Sequence, residues 1–228
     1  MIEDSLKNRK HVVHYDTEIL PSRGEVEDIL RTAYPLVTSK QKAYPYKFYV
    51  LGPSKERSSK IWNLAEGNKI AVDLEAIGDP GEQYLANEGL YHMLTAPWTL
   101  IATPRVAPPN KFYRRSFDNT KSHWQLEDAE FVNTKNRESM AIEIGMLAKT
   151  ITGAAMDRGW DTSYNICFLK DLKYWADLPY IKYRPTLIMT IGKGEKYLYE
   201  TLKEQDRKDN LDPAFEDIFE FVDDESKL

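Results

Sequence analysis

The stretch MAIEIGMLAKTITGAAMDRG, residues 140–159, decides the fold of this chain. Its larger apolar side chains recur at spacings of four, three, four and three, which places them on one face of a helix: Met140, Ile144, Leu147, Ile151 and Ala154. Small residues beside this face, such as Gly145 and Ala148, allow another backbone to approach closely. The pattern predicts a long helix between Asn136 and Gly159, either at the centre of the core or at the seam of a dimer.

Further helices are predicted on both sides of this segment. Ser22 and Glu25 form a capping box for a helix that ends near Ala33, before Pro35. Ser54 caps a helix that ends near Gly67. Two more helices are predicted over residues 82–94 and 212–222.

Strands are predicted between these helices, in short runs rich in β-branched and aromatic residues. They cover residues 47–51, 98–103, 163–169 and 186–191. Strands thus alternate with helices but are few and widely separated. This order predicts a layered α+β or α/β domain.

Composition indicates a globular intracellular protein. The chain has 228 residues, 42% of them hydrophobic, and no stretch near the ~20 apolar residues of a membrane span. The single cysteine, Cys167, suits a reducing compartment, and the acidic start lacks a signal peptide, so we expect a cytoplasmic location. Residues 209–228 hold eight acids against one base, which accounts for the net charge of −5, and the near-neutral remainder argues against nucleic-acid binding.

Familiar catalytic motifs are missing from the sequence. There is no HExxH or CxxC metal pattern, no GxSxG elbow and no Walker loop, so no metal site is expected. Gly192-Lys193-Gly194 lacks the third glycine of a dinucleotide fingerprint and is better explained as a turn. Either the protein is not an enzyme, or it borrows its reactive group from a cofactor.

A basic segment near the start, Arg9-Lys10-His11, offers cations suited to a phosphate, although a solvated surface cluster would look the same. Here the sequence resembles the FMN-dependent nitroreductases, which open with an Arg-Arg-Ser-x-Arg-x-Phe motif. Arg9-Lys10-His11-Val12-Val13-His14-Tyr15 occupies the same frame, with Val13 in place of an arginine. The resemblance continues in order through Tyr44-Pro45-Tyr46, the long helix, and Arg184-Pro185.

The resemblance implies a fold and a cofactor. The fold is a single α+β domain over residues 1–228, a three-layer α/β/α arrangement with a mostly antiparallel central sheet and the long helix at a homodimer interface. Residues of about 105–130 would form a variable lid, and about 205–228 a C-terminal arm. The implied activity is an oxidoreductase in which FMN takes electrons from NAD(P)H and passes them to a small organic oxidant such as a nitroaromatic or a quinone.

The resemblance also implies site residues. The expected FMN-binding set is Arg9, Lys10, His11, Pro35, Leu36, Val37, Ser39, His92, Ile166, Arg207 and Lys208. Backbone N–H groups near Asn165, Ile166 and Cys167 would face flavin N5, so no side chain is expected to be catalytic. With Val13 uncharged, His92 or one of Lys40, Lys42 and Lys47 would supply the cation near the ring. The aromatic lid residues are Phe112, Tyr113, Phe117 and Trp124.

The departures from the family pattern leave a second interpretation open. Val13, Leu36 and Val37 replace residues that usually hold the flavin. The chain could therefore be a repurposed or non-catalytic dimer of the same fold with weak or altered flavin binding.

Overall fold

The computed structural model describes residues 10–39, 42–64, 91–105 and 137–197, together with Ile218. The predicted lid, most of the C-terminal arm and the first part of the predicted helix over residues 82–94 lie outside these ranges. Among the described residues, no helix combines the length and hydropathy needed to cross a bilayer.

The described part contains six strands and four α-helices. The strands are β1 (Val12–Tyr15), β2 (Tyr46–Leu51), β3 (Trp98–Pro104), β4 (Asp161–Asn165), β5 (Leu187–Gly192) and β6 (Gly194–Tyr197). The helices are α1 (Arg23–Ala33), α2 (Lys55–Trp62), α3 (Tyr91–Thr95) and α4 (Arg137–Met156), and short 3₁₀ helices cover Tyr34–Leu36 and Leu172–Trp175.

The central sheet has the order β2-β3-β5-β4, and each neighbouring pair is antiparallel. A separate two-stranded sheet pairs β1 with β6, also antiparallel. The turn between β5 and β6 needs Gly192, because a Cβ there would lie 2.6 Å from Pro97 Cδ. Gly192-Lys193-Gly194 is therefore a turn, as the sequence predicts.

Alternation along the strands divides the core into two layers. On β3, Leu100 and Ala102 face a layer formed with helices α1 and α4, whereas Ile101 faces a layer containing Ile61 and Trp175. Every residue of β5 and nearly every residue of β3 is buried, which shows that both faces of the sheet are covered. The predicted α+β layering with an antiparallel sheet is confirmed.

Local signals placed the starts of both capped helices correctly, whereas α2 ends at Trp62 and not near Gly67 as predicted. Ser22 caps α1 with both bonds of the capping box, and Ser54 accepts from the N–H of Arg57 at the start of α2. The long helix α4 carries the predicted apolar face into the core, and Gly159 follows it with φ of 78°. Left-handed backbone of this kind is the usual role of glycine after a helix.

One strand boundary predicted from the sequence is wrong. Residues 163–169 were expected to form a strand, but β4 begins at Asp161 and ends at Asn165. The reason is local, since the Asn165 side chain accepts from the N–H of Cys167 over 2.6 Å and turns the chain. An asparagine that bonds the backbone two residues ahead competes with a sheet ladder in this way.

Candidate functional site

The start of β1 and helix α3 bring two histidines together. His11 lies just before β1, and His92 lies in α3. Their ring centroids are 6.1 Å apart, and the rings meet edge to face. The N–H of Tyr15 donates to Thr95 Oγ1 over 2.9 Å, which fixes β1 against the end of the same helix.

His92 is a buried, neutral imidazole. Its residue is 1% exposed, and burial, aided by the nearby His11, lowers its pKa to about 3. Desolvation disfavours the charged form of any ring that cannot reach water. His92, one of the four side chains offered for the cation near the ring, is therefore disfavoured in that role.

A threonine on the central sheet positions the His92 ring. Thr190 Oγ1 lies 3.2 Å from His92 Nδ1 and 2.9 Å from Tyr15 Oη, and all three groups are buried. The hydroxyl of a threonine can donate once and accept twice, so it can serve both neighbours at once. The network joins β5, β1 and α3 beneath the two histidines.

The end of β4 reaches the same helix from the other side. Asn165 is buried, and its Nδ2 lies within 3.4 Å of Met93 Sδ on α3. Ile166 and Cys167, which follow it, expose their side chains, Ile166 by 61%. Because the N–H of Cys167 already donates to Asn165, the N–H of Ile166 is the remaining candidate of this segment for a ligand.

His11, His92 and residues 165–167 form a corner of the molecule around α3. Lys10 adds a positive charge beside this corner. It is exposed, and its Nζ lies 4.6 Å from the centroid of the Tyr197 ring. The Tyr197 hydroxyl donates to Asp161 Oδ2 over 3.2 Å, which holds that ring at the start of β4. Val13, in contrast, is 3% exposed, so a cation at that position would be buried.

The predicted loop of residues 35–39 lies beside α1 and α4. Its 3₁₀ turn packs on α1 and α4, with Leu36 62% exposed and Pro35 also exposed. Val37 is buried in the core, and Ser39 Oγ accepts from the N–H of Tyr44 over 2.7 Å. Of this loop, Pro35 and Leu36 thus present side chains outward, whereas Val37 and Ser39 serve the fold.

Of the remaining predicted site residues, two lysines lie in the described ranges and the others do not. Lys42 is exposed, and Lys47 Nζ lies 4.5 Å from the ring centroid of Tyr49 on the central sheet. The others lie outside the described residues: Arg9, Lys40, Phe112, Tyr113, Phe117, Trp124, Arg207 and Lys208. Within the described ranges, no group of three or more His, Cys, Asp or Glu side chains could hold a metal ion.

Sequence reasoning missed Tyr15, Met93 and Thr190 as parts of this corner. The signal for Thr190 was present, since a lone hydroxyl interrupts the apolar run of β5. A buried polar group must find a partner, and so a threonine in a core strand marks a polar contact. The partner could not be named, because His92 is 98 residues away along the chain.

Comparison with known proteins identifies a family that this sequence matches. The sequence model described as the nitroreductase family matches residues 6–193. This range includes the described segments that form the corner, from Lys10 to Cys167. The comparison with curated proteins gives no match.

Solved structures with the same fold come from several bacteria. A nitroreductase family protein of Streptococcus pneumoniae TIGR4 has a TM-score of 0.61 at 17% identity, covering 97% of this chain and 100% of its own. A candidate NAD(P)H:FMN oxidoreductase of Staphylococcus epidermidis gives 0.64 at 17%, with 97% and 96% covered. A candidate nitroreductase of Exiguobacterium sibiricum, in complex with FMN, gives 0.62 at 18%, with 97% of each chain covered. At these identities the likeness establishes the fold.

Proposed function

The chain belongs to the nitroreductase family, and from this premise we propose that it is an FMN-dependent oxidoreductase that acts as a homodimer. It would pass electrons from NAD(P)H to a small organic oxidant such as a nitroaromatic or a quinone. When bound, FMN would supply the chemistry by accepting a hydride from NAD(P)H and giving the electrons to the oxidant.

One observation carries the proposal. Two segments that the family resemblance assigns to flavin binding, Lys10-His11 and residues 165–167, meet at helix α3 although more than 150 residues separate them in sequence. His92 contacts the first segment and Met93 the second. Their meeting is a consequence of the fold and was not used to identify the resemblance.

The residues of this corner fit a flavin mononucleotide in their chemistry. Exposed Lys10 offers a cation for the phosphate, and exposed Ile166 offers an aliphatic surface for a planar ring. The N–H of Ile166 would donate to the ring edge. His92 stays neutral, so it would contribute a hydrogen bond or a contact without charge.

A second copy of the chain would complete the site. The side of α4 that turns away from the core exposes Ile142 by 64% and Met146 by 48%, and a Cβ on Gly145 would meet no atom within 4 Å. Burial of such a face against its own copy is favourable by about 25 cal/mol per Å² of apolar surface. Leu36, exposed on the 3₁₀ turn that contacts this helix, would then belong to the partner's half of the cleft.

Anaerobic reduction of the flavin tests the proposal. Purified protein should show flavin absorbance, or gain it when FMN is added, and NADH or NADPH should bleach it. Lys10→Ala combined with His11→Ala should weaken FMN retention by about tenfold or more, since a charge-assisted phosphate contact contributes about 1.5–3 kcal/mol. Lys173→Ala, an exposed lysine on the second 3₁₀ helix, is the matched control and should leave retention unchanged.

A second function has its own supporting observations. Val13 is buried and apolar where the family motif has an arginine, the Cys167 N–H donates to Asn165, and His92 is neutral. A fold retained for another ligand would match these changes. Protein that stays colourless after FMN is added would favour this alternative and overturn the first.

A further inference from the structure

A row of three buried hydroxyl side chains crosses the central sheet. Thr190 on β5 pairs with Thr99 on β3 and with Ser163 on β4, and cross-strand partners share one face of a sheet. All three residues are at most 3% exposed. Of the three, Thr190 is hydrogen-bonded to His92, with 3.2 Å between its Oγ1 and His92 Nδ1. A hydrogen bond at one ring nitrogen of a histidine decides which of the two nitrogens carries the proton.

Tyr15 makes a hydrogen bond to Thr190 from the side of strand β1. Its Oη lies 2.9 Å from Thr190 Oγ1 and 3.4 Å from the carbonyl oxygen of the same residue. The shorter of the two contacts is the stronger hydrogen bond. Since a phenol is more acidic than an aliphatic alcohol, Tyr15 donates in this contact and Thr190 accepts.

The hydroxyl proton of Thr190 must then go to a different acceptor. Two acceptors lie near its Oγ1, namely His92 Nδ1 at 3.2 Å and the carbonyl oxygen of Ser163 at 3.5 Å. The distance to Ser163 is well beyond the roughly 2.5–3.0 Å of an O–H···O hydrogen bond. Thr190 therefore donates to His92 Nδ1, and this nitrogen accepts because it carries no proton. In a neutral ring the proton is then on Nε2.

The Nε2–H group of His92 is a buried donor. His92 is 1% exposed, and within the described ranges no hydrogen-bond partner of Nε2 is found. Because the two nitrogens of an imidazole point in different directions, Nε2 points away from Thr190. Buried donors in proteins are nearly always hydrogen-bonded, so this N–H group is suited to an acceptor atom that a ligand brings.

We propose that Thr190 is a positioning residue that holds His92 as the Nε2–H tautomer, and that this N–H donates to an oxygen atom of the ligand bound at the corner. The ligand's identity rests on the proposed function, since FMN carries phosphate and carbonyl oxygens that accept such bonds. The tautomer rests on the protein alone. Hydrogen bonds in series, from Tyr15 through Thr190 to His92, polarise one another and so strengthen the donor.

NMR of FMN-free protein that carries ¹⁵N-labelled histidine tests the tautomer. The chain has four histidines, and the signals that are missing from His92→Gln identify those of His92. At pH 7 its Nε2 should be the protonated, pyrrole-type nitrogen and its Nδ1 the unprotonated, pyridine-type nitrogen. The reverse assignment would overturn the proposal, and this measurement requires no variant of Thr190.

Replacement of the Thr190 hydroxyl tests the positioning role. In Thr190→Val the Nδ1 signal of His92 should move towards that of a nitrogen without a hydrogen bond, and Thr190→Ser should restore the wild-type signal. Thr99→Val, a buried threonine that pairs with Thr190 in the sheet, is the matched control and should leave both His92 signals unchanged. An Nδ1 signal that is the same in Thr190→Val and the wild type would overturn the role of Thr190.

Addition of FMN to the same samples tests the donor. The Nε2 signal of His92 should shift when FMN binds, and Thr190→Val should retain FMN about threefold less well, as for one weakened neutral hydrogen bond. A shift with FMN but not with riboflavin would assign the acceptor to the phosphate, and a shift with both would assign it to the rest of the flavin. FMN binding without a shift would overturn the donor role. Failure to bind FMN would reject the proposed function and with it the flavin acceptor, while the tautomer stands on its own measurement.

Discussion

The ring of His92 is buried against the central sheet and against His11. The family resemblance marks it as a site residue, and its neutrality follows from burial against Thr190, Tyr15 and His11. The pKa of a histidine depends on neighbours that only the fold brings close, so its charge could not be predicted from the sequence.

The depressed pKa of His92 predicts how stability depends on pH. In the unfolded chain this ring takes up a proton near pH 6.5, whereas in the folded protein it does so near pH 3. The unfolded state therefore binds more protons between these values, and the contribution of His92 to folding is present above pH 6.5 and lost as the pH falls towards 3.

Urea unfolding at pH 7 and pH 5, at one protein concentration, measures this effect. His92→Gln, which cannot titrate, should lose about 2 kcal/mol less free energy of unfolding between these pH values than the wild type. Parallel losses in the two proteins would show that His92 titrates normally.

Among the elements, those set by local signals were predictable and those set by distant pairing were not. Caps at Ser22 and Ser54 and the apolar face of α4 are written in short stretches of sequence, and each lies where it was predicted. Strands β1 and β6 were missed, because each has four residues and Val12 pairs with Tyr197 across most of the chain. Nothing near either strand indicates its partner.

The tight turn between β5 and β6 leads to a prediction about the stability of the protein. Gly192→Ala should destabilise the protein by about 1–3 kcal/mol, because the new Cβ would lie within 2.8 Å of Pro97 Cγ and Tyr15 Cδ1, neither at the far end of a flexible chain. Tyr15 holds Thr190, so the change should also disturb the polar network beneath His92.

A second glycine provides the matched control for this measurement. Gly24→Ala, in the first turn of α1, would bring its Cβ no closer than 4.0 Å to Ser22 Oγ. It should raise the free energy of unfolding by up to about 1 kcal/mol, because alanine favours a helix over glycine. Urea midpoints for both variants check the pair, and an unchanged midpoint for Gly192→Ala would refute the tight packing of this turn.

At the scale of the whole molecule, the described residues bring together some segments of the proposed site, whereas others pack on different elements. The Lys10–His11 segment and residues 165–167 meet at α3, whereas Leu36 lies by α1 and α4. The sequence could indicate these segments through the family resemblance. It could not show which of them meet within one chain, since that depends on the complete fold.

The exposed face of α4 gives a prediction for the proposed association of two copies. Ile142→Glu should weaken the proposed dimer by at least about 30-fold, because an unpaired carboxylate buried in an apolar seam costs about 2 kcal/mol or more. FMN retention should fall in parallel, because the proposed site is shared by the two copies. Ile19→Glu, an equally exposed position away from α4, should change neither quantity in sedimentation measurements.

In the proposed function a flavin is held between two copies of this chain, and a joint measurement of mass and flavin content tests this most directly. Light scattering coupled to absorbance on the FMN-loaded protein should give twice the 26.5 kDa chain mass and one FMN per chain in the same peak. A flavin-loaded species with the mass of one chain would contradict the shared site, and a two-chain species that takes up no FMN would contradict the cofactor.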